Sequence, residues 1–229
     1  MCKSMKIVVI NSSPRKNGAT SKILCDFADQ LKQCGSVDVA IYHLSDLQIE
    51  YCMGCCGCYK TGQCFLDDDA NMLIQAIVEA DGLVIGTPNY VSNVSGQLKT
   101  FIDRGHFVLP QLLKGKHTVG VVTYENVMGG SAYGVLKNLF VLSGAKTVNK
   151  IVVKAALNSS PLTSSKVKAN VKSKAIKLYN SISEQRPSSL LNRIVHFFAF
   201  NIVIKPFVIG KGQEYQGVQQ HWSSRGISY

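Results

Sequence analysis

The sequence predicts an α/β three-layer sandwich: one open sheet of five parallel strands in the order 2-1-3-4-5, helices on both faces, and a C-terminal helical or irregular arm. Three observations carry this. Short β-branched runs alternate with segments of helical periodicity from residue 6 to residue 183. The third run, Gly82–Ile85 (GLVI), is apolar throughout, as a strand buried on both faces must be. Strands joined through helices pair in parallel by right-handed crossovers, and five of them suit the doubly wound order.

Lys6–Asn11 (KIVVIN) is the first strand, closed by a turn-rich stretch. Thr20–Leu31 reads as a helix because Ile23, Leu24, Phe27 and Leu31 fall on one stripe. Val37–His43 is the second strand. A cysteine-rich insertion at 50–66 follows, then a helix at Asp69–Glu79 that Asp67, Asp68 and Asp69 are placed to cap. Beyond the third strand come a helix at Ser95–Arg104, a fourth strand at Thr118–Thr123, a helix at Gly130–Leu142, a fifth strand at Thr147–Val153 and a helix at Ser165–Ser183. These elements make one domain over 1–186.

Pro187 and the serines after it mark the seam to an arm, 187–229. Its stretch Leu190–Ile209 is almost continuously apolar, yet it holds Asn192, Arg193, His196, Asn201, Lys205 and Pro206, which a bilayer-spanning helix tolerates poorly. We expect an amphipathic or buried helix, broken near Pro206, packing on its own domain or on a second subunit. The alternative is a helix lying at a membrane interface.

Composition is that of a folded chain with a substantial core: 46% of the 229 residues are hydrophobic and 8% aromatic. Net charge is +11, of which residues 151–229 carry +9. Such a surface favours anions, from phosphorylated cofactors to acidic proteins and lipid headgroups. The lysines from Lys166 to Lys177 alternate with Val167, Val171, Ala175 and Ile176 at helical spacing, which reads as the solvated face of the last helix. No aromatics interleave them, so no nucleic-acid partner is expected. Eight cysteines behind an N-terminus that runs straight into a strand point to a reducing, cytoplasmic setting without structural disulfides.

Functional loops of such a sheet lie at the carboxyl ends of its strands. The first, Asn11-Ser-Ser-Pro-Arg-Lys-Asn-Gly-Ala-Thr-Ser21, leads into a helix N-terminus and supplies the parts of a phosphate cradle. Ser12, Ser13, Thr20 and Ser21 bring hydroxyls, Asn17 an amide and Arg15 a charge. It is neither a Walker A loop nor a G-x-G-x-x-G turn. The third, Gly86-Thr-Pro-Asn-Tyr-Val-Ser-Asn-Val-Ser-Gly96, offers Thr87, Pro88, Asn89, Tyr90 and Asn93, a face and edge donors for a flat heteroaromatic ring. Thr123, Gly129 and Gly130, past the fourth strand, supply a further wall.

Cys52-x2-Cys55-x2-Cys58-x5-Cys64 is a dense run of thiols. Intervals of three return a turning backbone to one side, which suits the corners of an iron–sulfur cube better than a lone ion. A structural zinc site more often draws two C-x-x-C knuckles from separate turns. Cys56 is out of phase with the four. The other readings are a zinc loop, a redox-active disulfide, or thiols with no ligand.

Together, Ser13-Pro-Arg-Lys-Asn-Gly-Ala-Thr20, the cysteine block ending Gly62-Gln-Cys64 with Asp67-Asp68 beyond, and Gly86-Thr-Pro-Asn-Tyr90 through Asn93-Val-Ser-Gly-Gln-Leu-Lys-Thr-Phe-Ile-Asp-Arg104 resemble the NADPH-dependent FMN reductase family, and within it the iron–sulfur flavoproteins. The resemblance covers roughly residues 5 to 155 on motif evidence. It implies a flavodoxin-like fold, FMN on the loops just described, homodimeric or homotetrameric assembly, and a [4Fe–4S] cluster on Cys52, Cys55, Cys58 and Cys64. Ser12 stands where a glycine is usual and Ala19 where asparagine is common.

The expected function is that of an FMN-dependent oxidoreductase with NAD(P)H or a ferredoxin-like donor and a small-molecule or ferredoxin-like acceptor, passing electrons through a [4Fe–4S] cluster next to the FMN. The alternatives are a cluster-free NAD(P)H:flavin or quinone reductase and a non-enzymatic electron shuttle. Hydride transfer to a flavin needs stacking and N–H donors rather than an acid–base residue, so no side chain is nominated as catalytic. None of His43, His106, His117, His196 and His221 sits in a motif, and core or surface roles are expected for all five.

Overall fold

The computed structural model describes residues 4–126, 128–156 and 159–228. Strands β1 (Met5–Asn11), β2 (Val37–His43), β3 (Gly82–Pro88), β4 (His117–Tyr124) and β5 (Lys146–Lys154) pair in parallel, in the order 2-1-3-4-5 that the sequence predicts. Successive side chains on a strand point to opposite faces. Ile7 and Val9 therefore pack against α1 (Ala19–Lys32) and α6 (Ser165–Ser183), where Ile23, Phe27, Leu31 and Leu178 are buried. Val8 and Ile10 face the other layer, made by α3 (Asp69–Glu79), α4 (Gly96–Gly105) and α5 (Gly129–Leu142) through Leu73, Ile77, Phe101 and Phe140. Each such fully buried side chain contributes about 1.5–3 kcal/mol.

The register sets the functional rim. Asn11 lies opposite Gly86, and Pro88 opposite Thr123, so the loops after β1, β3 and β4 leave the sheet side by side. β3 runs three residues past the predicted Ile85. Beyond Gly86 it is paired only with β4, because β1 has ended opposite Gly86. The next amide, Asn89 N–H, donates to Thr123 O at 2.7 Å, so Pro88's missing N–H falls on the side β1 has vacated.

The arm differs from expectation in one respect. α7 (Leu190–Phe198) does not break at Pro206 but continues through a π-helical stretch (Ala199–Ile204) into α8 (Lys205–Gly210). A wider turn just before the proline absorbs the hydrogen bond that its nitrogen cannot make. The helix stops where Gly212 adopts φ +54°. α9 (Gln216–Ser224) folds back, and Phe200, Ile204, Val208, Val218 and Trp222 form a third apolar cluster. Trp222 Nε1–H donates to Leu109 O at 2.9 Å, fixing this cluster to the segment between α4 and β4.

Candidate functional site

A crevice of about 360 Å³ opens at the carboxyl ends of β1, β3, β4 and β5. Of the residues named from sequence, Ser13, Arg15, Thr20, Pro88, Asn89, Tyr90 and Thr123 line it. The N-terminus of α1 supplies Ala19 and Thr20 to its wall, and among the described residues no side chain caps that helix or places an acid in its first turn. An uncapped first turn leaves backbone N–H groups and a positive dipole end for an anion. Thr20 Oγ1 and Thr123 Oγ1 share a hydrogen bond of 2.7 Å that joins the helix to β4. Ser13 N–H donates to Asn11 Oδ1 at 3.0 Å, which shapes the turn above β1.

The other named residues lie behind or beside the crevice. Ser12 is buried and its hydroxyl donates to Gly86 O. The Thr87 hydroxyl donates to Pro88 O and accepts from Ser95 N–H. Ser21 is buried, while Asn17 and Asn93 are exposed outside the crevice. Gly129 and Gly130 do not line it either; a Cβ on Gly129 would stand 2.2 Å from the Tyr124 ring, so that glycine serves packing. Sequence reasoning missed Tyr124, Glu125, Asn126 and the Ala155-Ala156 pair, which complete the wall. Their position just past β4 and β5 was the available signal. It also missed the tight turn Tyr90–Asn93, whose ends exchange two backbone bonds of 3.0 Å. Val91 there takes φ +49° and is 99% exposed, a conformation costly for a β-branched residue.

The cysteine loop is a separate site and shares no lining residue with the crevice. Cys52, Cys58 and Cys64 are partly buried and Cys55 is exposed. A one-turn helix, α2 (Gly57–Thr61), carries Cys58 and ends before Cys64. Cys56 adopts φ +57° and turns its thiol to Gly54 O. Burial, then repulsion from Cys64, Cys55 and Cys52, pushes the Cys58 thiol up to about 11. Among the described residues no three His, Cys, Asp or Glu side chains are gathered closely enough to hold one ion. The four thiols are thus near neighbours without forming a single-metal knuckle.

Distant residues hold this loop in place. Asp68 caps α3 by accepting from Ala70 N–H at 3.0 Å, and accepts Glu50 N–H at 2.9 Å. Arg104, at the end of α4, grips the same carboxylate through both terminal nitrogens and donates to Glu50 O. The pair is buried, with 1% and 7% of its side chains exposed. Burial opposes the Asp68 charge, but the Arg104 hydrogen bonds and backbone N–H groups outweigh it and hold the carboxyl below its usual range. Of the three aspartates expected at this cap, Asp68 is the one that caps α3, and Asp69 accepts Gln48 N–H at 2.7 Å.

Two further contacts were not legible in the sequence. The Tyr59 hydroxyl lies 2.7 Å from His106 Nδ1, and His106 Nε2 lies 3.6 Å from Cys52 Sγ. Burial lowers the pKa of His106, which favours the neutral ring; in the tautomer where Nδ1 accepts from Tyr59, the ring proton is on Nε2, toward the sulfur. Tyr59 also stacks on Tyr215 of the arm at 4.7 Å. A cavity of about 260 Å³ lies beside Cys58, Cys64, Arg104 and His221, and His221 Nε2 is buried there without a hydrogen-bond partner among the described residues.

Residues 5–158 match the family described as NADPH-dependent FMN reductase. The chain is 36% identical over 225 residues to an iron-sulfur flavoprotein of Clostridioides difficile, covering 97% of this chain and 100% of the relative. It is 39% identical over 127 residues to an iron-sulfur flavoprotein of Archaeoglobus fulgidus, covering 54% of this chain and 56% of that relative. An FMN-dependent NADH-azoreductase from Bacillus anthracis, solved with FMN, superposes with a TM-score of 0.61 at 16% identity over 76% of this chain and 100% of its own. With the doubly wound sheet, the strand-end crevice and these likenesses in place, the chain belongs to the NADPH-dependent FMN reductase family, in its iron–sulfur flavoprotein branch, and is a flavodoxin-like oxidoreductase.

Proposed function

We propose that the chain moves electrons between NAD(P)H or a ferredoxin-like donor and a small-molecule or ferredoxin-like acceptor, using FMN in the crevice and a [4Fe–4S] cluster on Cys52, Cys55, Cys58 and Cys64. One observation carries the flavin half: the uncapped N-terminus of α1 opens onto a crevice that also receives Ser13, Arg15 and Thr20. In this reading α1's first amides and Arg15 hold the phosphate. Pro88, Tyr90 and Tyr124 bound the ring, and the Thr20–Thr123 bond keeps both walls at fixed separation. Bound FMN supplies hydride acceptance and single-electron transfer, which no side chain can. No residue is assigned as acid or base.

The cysteine half is supported by Cys58, whose thiol is pushed up by burial first and then by the neighbouring Cys64, Cys55 and Cys52. A buried thiol such as Cys58 gives up its proton readily only beside a cationic centre, and the intervals of three in Cys52-x2-Cys55-x2-Cys58 suit a cube better than one zinc ion. Arg104 and Asp68 fix the loop's base, and the neutral His106 presents Nε2 to Cys52. A donor on a ligand sulfur tunes a cluster's potential. As part of the same reading, the chain works in the cytoplasm as a homodimer or homotetramer.

The second reading is a cluster-free reductase, favoured by the lack of convergence on a single ion among the described residues. Anaerobic purification followed by iron, sulfide, zinc and flavin assay separates the two. We expect bound FMN and about four irons per chain. Zinc, or no iron after reconstitution, selects the cluster-free enzyme. A colourless protein that refuses added FMN rejects both.

A further inference from the structure

The helix from Leu190 to Gly210 is built inside out. Its 21 residues have a mean hydropathy of 1.5, long and apolar enough to cross a membrane, yet little of the segment is buried. One stripe, His196, Phe200, Ile204 and Val208, packs on the body at intervals of four. The opposite face exposes ten large apolar side chains, among them Leu190 at 68%, Phe197 at 60% and Val203 at 64%. A patch of this kind marks an interaction surface.

Charge indicates what covers it. The segment 190–210 has no acidic residue and carries Arg193 and Lys205. Beside it a groove of about 510 Å³ adds Lys114 and Lys146 to Arg193 along a wall of Leu190, Ile194 and Phe197, with no carboxylate in its lining. None of these four cations has a carboxylate partner among the described residues. A two-fold contact sets a surface against itself. A second copy would therefore bring cations to cations, whereas an anionic surface complements them.

We propose that this face is a docking surface for an anionic lipid bilayer, with the helix lying in the plane of the interface and the groove's cations meeting headgroup phosphates. The His196–Val141 O contact of 3.0 Å and the Phe200–Trp222 packing hold the helix along the body, so it rests on the membrane rather than crossing it. The π-helical stretch keeps the face continuous past Pro206, over about 30 Å. Lys114, Gly144 and Lys146 stand at the amino ends of β4 and β5, opposite the crevice, so docking leaves the flavin rim free. The inference does not depend on the cofactor assignments.

The test is co-sedimentation of the full-length purified protein with phosphatidylcholine vesicles and with vesicles containing phosphatidylglycerol, alongside sedimentation velocity without lipid. Binding to the anionic vesicles alone, weakened by salt, is expected. Val203→Glu weakens it at least about tenfold and Arg193→Ser about fivefold, with circular dichroism unchanged. Equal partition of wild type and both variants, or no binding to anionic vesicles, overturns the proposal. So does a wild-type oligomer that Val203→Glu dissociates, since a second copy then covers the face.

Discussion

The strand-end crevice and the cysteine loop are held by different kinds of bond. Crevice residues sit at the ends of strands whose register already fixes them: Pro88 is opposite Thr123 and Asn11 opposite Gly86. The cysteine loop has no ladder beneath it. It depends on side chains from α3, from α4 and from the arm, through Asp68, Arg104 and Tyr215. A site on a sheet rim inherits its geometry from the core, whereas a loop site is only as firm as the few polar groups that reach it.

That contrast can be broken experimentally. Arg104→Met leaves Asp68 buried without its cation and should cost about 3–5 kcal/mol, seen as a lowered unfolding midpoint and lost iron. FMN stoichiometry should hold; a parallel loss of FMN would mean the two sites are coupled. Gly217→Val places a Cβ 2.3 Å from Gly62 N and should cost about 1–3 kcal/mol. Faster alkylation of Cys58 would locate that loss in the loop. Thr123→Val removes the bond to Thr20 and should weaken FMN binding by about 1 kcal/mol, near fivefold, in fluorescence titration. Iron content should not move.

The smallest effect is on pH dependence. Burial holds His117, His196 and His221 below the ordinary histidine range, with lesser contributions from nearby charges. The unfolded chain takes up these protons near pH 6.5 and the folded chain only at lower pH. Stability present above about pH 6.5 should therefore decline on acidification, read as a falling thermal midpoint between pH 7 and pH 5. Asp68, held low, keeps its ion pair charged through the same window, so the loop should not be the part that fails.

Much of this was readable in the sequence because the sheet dominates local choices. The five strands, their order and most helix bounds follow from periodicity that packing then reinforces. Seven of the residues assigned to the crevice line it because strand ends place them there. Thr87 and Ser12 were read as free donors, but their hydroxyls serve the fold, a choice no spacing reveals. Arg104 and Asp68 are 36 residues apart, and His106 is 54 from Cys52. Such pairings exist only once α3 and α4 are packed side by side. For that reason the histidines looked featureless.

The arm reaches back across most of the chain to touch the cysteine loop: Tyr215 lies on Tyr59, and α9 passes so close to Gly62 that only glycine fits at 217. During synthesis the ribosome releases these partners in reverse order of need. The thiol-bearing turn emerges early and must wait for its Tyr215 and Gly217 contacts until α9 leaves the exit tunnel. Packing of the cysteine loop is then a late step of folding, and loss of Tyr215 and α9 would leave the doubly wound sheet in place and the loop without its outer wall.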